Sequence, residues 1–96
     1  MYVPIGHMLM NIEFKDFTAK DLDNFYKLIG KNVKRVRQRK KVTQMQLAYA
    51  IGHNSVGHVA KAELNKYGKH FSIENLYKIA SVLDVPISIF FESADE

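Results

Sequence analysis

The chain has 96 residues, no cysteine and a formal net charge of +4. That length supports one small domain with a single core. Without thiols there are no disulfides, cysteine nucleophiles or thiolate metal sites, and a cytoplasmic location is the default expectation. Hydrophobic residues make up 47% and charged residues 25%, the balance of a soluble globular protein, and no apolar run approaches the ~20 residues of a membrane span.

Residues 1–17 carry no helical period, and "YVPIGHMLMNIEF" reads as an arm or short strand. The start lacks the basic n-region and long apolar h-region of a signal peptide. A first helix is predicted from Thr18, with Asp21 completing a Thr-x-x-Asp capping box. Leu22, Phe25, Ile29, Val33 and Val36 then fall on one face, spaced by threes and fours. Gly30 interrupts the helix at about 1 kcal/mol relative to alanine. Lys27, Lys31, Lys34, Arg35, Arg37, Arg39, Lys40 and Lys41 follow with no acid among them. The acids lie before this run (Glu13, Asp16, Asp21, Asp23) and at the end (Glu92, Asp95, Glu96). A merely solvated helix face would gain from Glu–Lys pairs; a one-signed run points to phosphate.

Thr43 and Gln46 form a second capping box, opening a short helix with Leu47, Ala48 and Ile51 inward. Gly52 ends it where a left-handed residue is wanted. After His53 and Asn54, Ser55 is the predicted cap of a third helix with Val59 and Ala62 inward. "NKYGKH" is a loop by composition. Ser72 caps a fourth helix, with Ile73, Leu76, Ala80 and Leu83 expected to face the core. Pro86 suits the first turn of a short fifth helix through Ile87, Phe90 and Phe91. Tyr26, Tyr49, Tyr67 and Tyr77 are read as amphipathic core edges. The expected architecture is all-α: five helices over residues 18–92, an N-terminal extension of residues 1–17 and an acidic tail of residues 93–96.

Two short capped helices joined by a glycine turn, behind a basic helix, are the layout of a helix-turn-helix. The stretch "IGKNVKRVRQRKKVTQMQLAYAIG" carries Thr43-Gln44, Leu47-Ala48 and Gly52; Ser55, Val59, Glu63 and "SIENLYKIASVLDVPISIFF" follow. On these residues, from about Phe25 to Phe91, the chain resembles the Cro-type, XRE-like helix-turn-helix family of lambda-repressor-like DNA-binding domains. The resemblance implies a homodimer that binds double-stranded DNA to regulate transcription. It places Gln44 on a phosphate, and sets Val56, Gly57, His58 and Lys61, after Ser55, toward base edges. It also makes Arg37 and Glu63 a pair tying the first helix to the end of the third, across the Gly52 turn. Lys34 and Lys40 on the first helix, with Lys66 and Lys69 after the third, extend the basic surface. No cofactor, metal site, membrane segment or enzymatic centre is expected. His7, His53, His58 and His70 have no cysteine beside them, and the five-residue step from His53 to His58 does not put both on one helix face.

The chain departs from the family pattern in three places. Two residues, His53 and Asn54, stand between Gly52 and Ser55 where the family usually has one. The loop "LNKYGKHF" is longer than the minimal family loop. The reading positions are poor in forked hydrogen-bond donors, and His58 is equally well read as a plain surface residue. A second reading therefore stays open: the fold used as a protein-interaction module, including an antitoxin-like role with a protein partner. Adjacent Phe90 and Phe91 cannot both enter one core from a short helix. With Ile89 and the apolar arm they predict a dimer surface.

Overall fold

Helix α1, Ala19–Arg39, starts at the cap the sequence provides. In the computed structural model, which describes residues 16–52 and 55–93, the Thr18 hydroxyl accepts from the Asp21 amide. The Asp21 carboxylate in turn accepts from the Thr18 amide. The exchange satisfies two donors that a helix start otherwise leaves unpaired. Helix α2, Gln44–Ala50, opens with the same reciprocal box between Thr43 and Gln46. It closes at Gly52, whose φ of +87° is open to a residue without Cβ. Helix α3, Val56–Leu64, ends at Asn65 in the left-handed conformation. A 3-10 turn, Lys66–Gly68, leads on to α4, Ile73–Leu83, capped by the Ser72 hydroxyl.

The described residues are all-helical, as expected, but the helix count differs. The segment Ile87–Phe91 is a 3-10 turn, and Pro86 stands outside it at the N-cap. The physical reason lies on α1. Asn32 is fully buried, and its Nδ2 donates to the carbonyls of Phe90 and Glu92 at 2.8 and 2.9 Å. Those carbonyls are held by a side chain from another helix, and the turn stops after five residues.

One core joins these elements. It contains Ile29, Val33 and Val36 from α1, Leu47 and Ala48 from α2 with Ile51 at its C-cap, and Val59 and Ala62 from α3. Phe71, Leu76, Ile79, Ala80, Leu83 and Phe90 complete it. The predicted stripe on α1 has the correct period but outruns the core: Leu22 and Phe25 are exposed, and the Phe25 ring stacks on Phe91 at 6.2 Å. Ile73 is also exposed, because it is the first residue of α4 and has no helix beside it. Phe71, just before the Ser72 cap, is buried in its place with Leu76, the two positions of a hydrophobic staple. Of the four tyrosines read as core edges, Tyr26 packs on the core and stacks on His70, whereas Tyr49, Tyr67 and Tyr77 are exposed. Ser55 holds the N-cap position of α3, but its hydroxyl makes no capping bond.

Gly30 has a role that its helix propensity does not reveal. A Cβ at this position would lie 2.5 Å from the Glu63 carbonyl oxygen and 2.6 Å from that of Ala62. The glycine lets the backbone of α1 approach the last turn of α3 more closely than any side chain allows. The expected N-terminal arm falls, apart from Asp16 and Phe17, outside the described residues, as do the His53–Asn54 turn and residues 94–96 of the acidic tail.

Candidate nucleic-acid interface

α2 and α3 pack across the Gly52 turn with their apolar faces together. Leu47, Ala48, Ile51, Val59 and Ala62 are all buried. What fixes α3 against the basic helix is a polar clamp at its far end. Arg37 donates to the Glu63 carboxylate through Nε at 2.7 Å and Nη2 at 3.0 Å. Its Nη1 donates to the Val42 carbonyl. The Glu63 side chain is fully buried and that of Arg37 nearly so, at 0% and 8% exposure. A buried carboxylate is stable only when its charge is matched and its lone pairs are occupied, and a third donor is supplied here by Gln44 Nε2 at 2.9 Å.

The Arg37–Glu63 pair, expected to tie the first helix to the end of the third, is a buried, bidentate bridge. One expectation changes as a result. The Gln44 amide, expected at a phosphate, has one of its two N–H groups committed to Glu63. Because Glu63 is only an acceptor, the amide nitrogen must face it, leaving a second N–H and the oxygen of Gln44 for any other partner.

On α3, Gly57 and Lys61 are exposed and, four residues apart, share one face. Val56 is half-buried and packs against the core, so its outward surface is smaller than the sequence suggested. His58 is also half-buried. Ser55, at the start of the helix, is exposed. The Lys61 ammonium lies 6.0 Å from the ring centroid of Tyr67, in the loop that follows, and that of Lys66 lies 5.3 Å from the same ring. Lys66 and Lys69 are exposed.

On α1, Lys31, Gln38, Arg39 and Lys40 are exposed and Lys34 half-buried. Lys27, at the start of the basic run, pairs with Asp23 one turn earlier at 3.2 Å. Beyond it Lys31, Arg39, Lys40 and Lys41 are exposed with no acid interleaved, whereas Arg37 is buried in the bridge and Arg35 is half-buried. The sequence reading missed the Gly30 approach, the Asn32 clamp, the Gln44–Glu63 bond and Tyr67. Only Tyr67 left a signal, as a bulky residue beside glycine in a long loop.

Residues 33–90 match the family model described as helix-turn-helix, of the XRE type. The match covers well over half the chain, from the second half of α1 to the 3-10 turn at Phe90. No curated protein matches the chain. No helix among the described residues is long and apolar enough to cross a membrane.

Proposed function

This chain belongs to the XRE-type helix-turn-helix family of DNA-binding regulators, and we propose that it is a homodimeric transcriptional regulator of the cytoplasm that reads a two-fold duplex site with α3 in the major groove. The observation that carries the reading is the buried Arg37–Glu63–Gln44 clamp. It fixes α3 beside a helix whose charged residues from Lys27 onward are all cationic. A helix presented in this way, with a glycine and a lysine outermost, suits insertion into a groove flanked by phosphates.

In this reading Lys34, Lys40, Lys66 and Lys69 neutralise phosphates, and the remaining side-chain N–H of Gln44 donates to one. Ser55 sits at the groove edge. Val56 touches a thymine methyl with the surface it keeps exposed, and His58 and Lys61 reach guanine. Gly57 lets the α3 backbone approach the groove floor. With so few forked donors, direct reading is modest. Half-site spacing of about 34 Å and DNA deformability then contribute the rest of the specificity. The dimer face is drawn from Ile89, Phe91 and the Phe25 ring stacked on it.

The test is selection of bound fragments from random duplex DNA, followed by salt titration on the enriched site. A two-fold motif is expected, with a log–log salt slope of about −4 to −5 for ~4–6 neutralised phosphates. On that site Lys61→Ala and His58→Ala lower the specific-to-nonspecific ratio, whereas Lys34→Ala and Lys40→Ala weaken all sequences alike. Absence of duplex binding at low salt removes this reading and leaves the protein-interaction module in its place.

A further inference from the structure

Four non-glycine residues among those described have positive φ: Lys41, Asn65, Tyr67 and Asp84. Three of them stand at helix ends, where a left-handed residue is ordinary. Lys41 follows the C-cap of α1, and Asn65 and Asp84 are the C-caps of α3 and α4. Tyr67 is different. It lies inside the 3-10 turn at φ 56° and ψ 32°, a conformation that crowds the Cβ of an L-residue and suits Asn or Gly far better than an aromatic.

Packing does not explain the strain, since Tyr67 is 78% exposed. What the ring does touch is charge. Lys66 and Lys61 hold their ammonium groups 5.3 and 6.0 Å from its centroid, one from the loop and one from α3. Neither lysine is ion-paired among the described residues. One aromatic ring therefore lies near two cations. A ring with the Lys66 ammonium group beside it and a phenol hydroxyl at its tip can present donors to a compact anion. Strain held at an exposed residue that packs on nothing is a reason to look for a role outside the fold.

We propose that Tyr67 is a positioning and contact residue for duplex DNA. Its ring seats Lys66, so that this ammonium group and the phenol hydroxyl close on one backbone phosphate, and it steadies Lys61 of α3 for its contact in the groove. This rests on the DNA reading above and adds a residue to it.

The experiment uses the full chain and three variants: Tyr67→Asn, Tyr67→Leu and Tyr67→Phe. Each is measured for Tm and for affinity to a random-sequence duplex across a salt series. Tyr67→Asn is expected to raise Tm, because asparagine tolerates left-handed φ, while weakening duplex binding by about three- to tenfold. Its salt slope becomes shallower by about 1. Tyr67→Leu shows the same weakening without the gain in Tm, and Tyr67→Phe retains most of the affinity because the ring remains. A fold-stabilising role predicts the opposite sign of the Tm change for Tyr67→Asn, and that result overturns the proposal. So do wild-type affinity and slope in both Tyr67→Asn and Tyr67→Leu. A wild-type chain that fails to bind duplex at low salt refutes the DNA reading itself, a result distinct from variants that match a binding wild type.

Discussion

Replacing Gly30 by alanine sets two effects of opposite sign against each other at one site. In an exposed helix interior the change stabilises by about 1 kcal/mol, because alanine loses less backbone entropy on folding. At Gly30 the added methyl meets the Glu63 and Ala62 carbonyl oxygens at 2.5 and 2.6 Å and the Glu63 carbonyl carbon at 2.8 Å. These are backbone atoms of α3, so no rotamer change relieves them. The helices must part by roughly 0.5–1 Å, a gap that forfeits a quarter to a half of the dispersion attraction across their contact. The same movement pulls Glu63 from Arg37 and Gln44. Overpacking of this kind costs about 1–3 kcal/mol and more where backbone is the obstacle. At the upper part of that range, and after the helix-propensity gain of about 1 kcal/mol, the expected net loss is about 1–2 kcal/mol. At about 4–8 °C per kcal/mol for a domain of this size, Tm falls by roughly 4–16 °C. Urea unfolding with a shared m-value measures it directly. A Gly30→Ala chain as stable as wild type would refute the close approach of α1 and α3, and with it the argument that this glycine sets their spacing.

The remaining predictions use the same geometry. Gly57→Ala, where a Cβ meets the Ser55 hydroxyl only at an ordinary 3.4 Å, should stabilise the fold by about 0.5–1 kcal/mol in thermal unfolding. Arg37→Ala and Glu63→Ala should each cost about 3–5 kcal/mol, because either leaves a charge buried alone. A double-mutant cycle should show strong coupling, and additive effects would remove the bridge from the account. Gln44→Ala, which deletes one of the three donors to Glu63, should cost about 1 kcal/mol or more in urea unfolding. Asn32→Ala should cost roughly 1–3 kcal/mol per buried carbonyl left unsatisfied, and raise amide exchange in the Ile87–Phe91 turn first.

What was legible in the sequence was local. Thr18 with Asp21 and Thr43 with Gln46 are boxes closed within four residues, and Gly52 needs only its own backbone to be left-handed, so each reads correctly from neighbours alone. Periodicity located the buried face of α1 but carries no information about where the core stops; Leu22 and Phe25 share the face of Ile29 and lie beyond its partners. Ile73 failed for the same reason at the other end of the chain. Gly30 was legible only as a penalty, because its benefit belongs to α3, some thirty positions away in the chain. Asn32 reads as a neutral helix residue until the carbonyls of Phe90 and Glu92 are beside it. The site divides in the same way. The family pattern identified Arg37 and Glu63 as a pair, while the third donor from Gln44 depends on how α2 is set against α3.

These constraints bear on how a helix with so few base-reading groups works. α3 is held at its C-terminal end by the Glu63 clamp, along its inner face by Val59 and Ala62, and against α1 by the Gly30 contact. Such a helix has little freedom to tilt toward a chance site. A reader rich in arginine or asparagine can tolerate some rocking, because a long forked side chain finds its base edge from several positions. A reader offering Gly57 and half-buried Val56 and His58, with Lys61 its one long side chain, tolerates less, since short contacts fall off within an ångström of their optimum. On the DNA reading, rigidity therefore takes over part of what side-chain chemistry supplies elsewhere. The duplex must conform to a fixed pair of helices, and sequences are sorted by how readily they adopt that shape. On that reading the lengthened loop fits the same account, because it carries exposed Lys66 and Lys69 toward the duplex backbone while α3 stays fixed. Discrimination should then be lost when α3 is loosened from within, as in Gln44→Ala, even though the base-facing residues are unchanged.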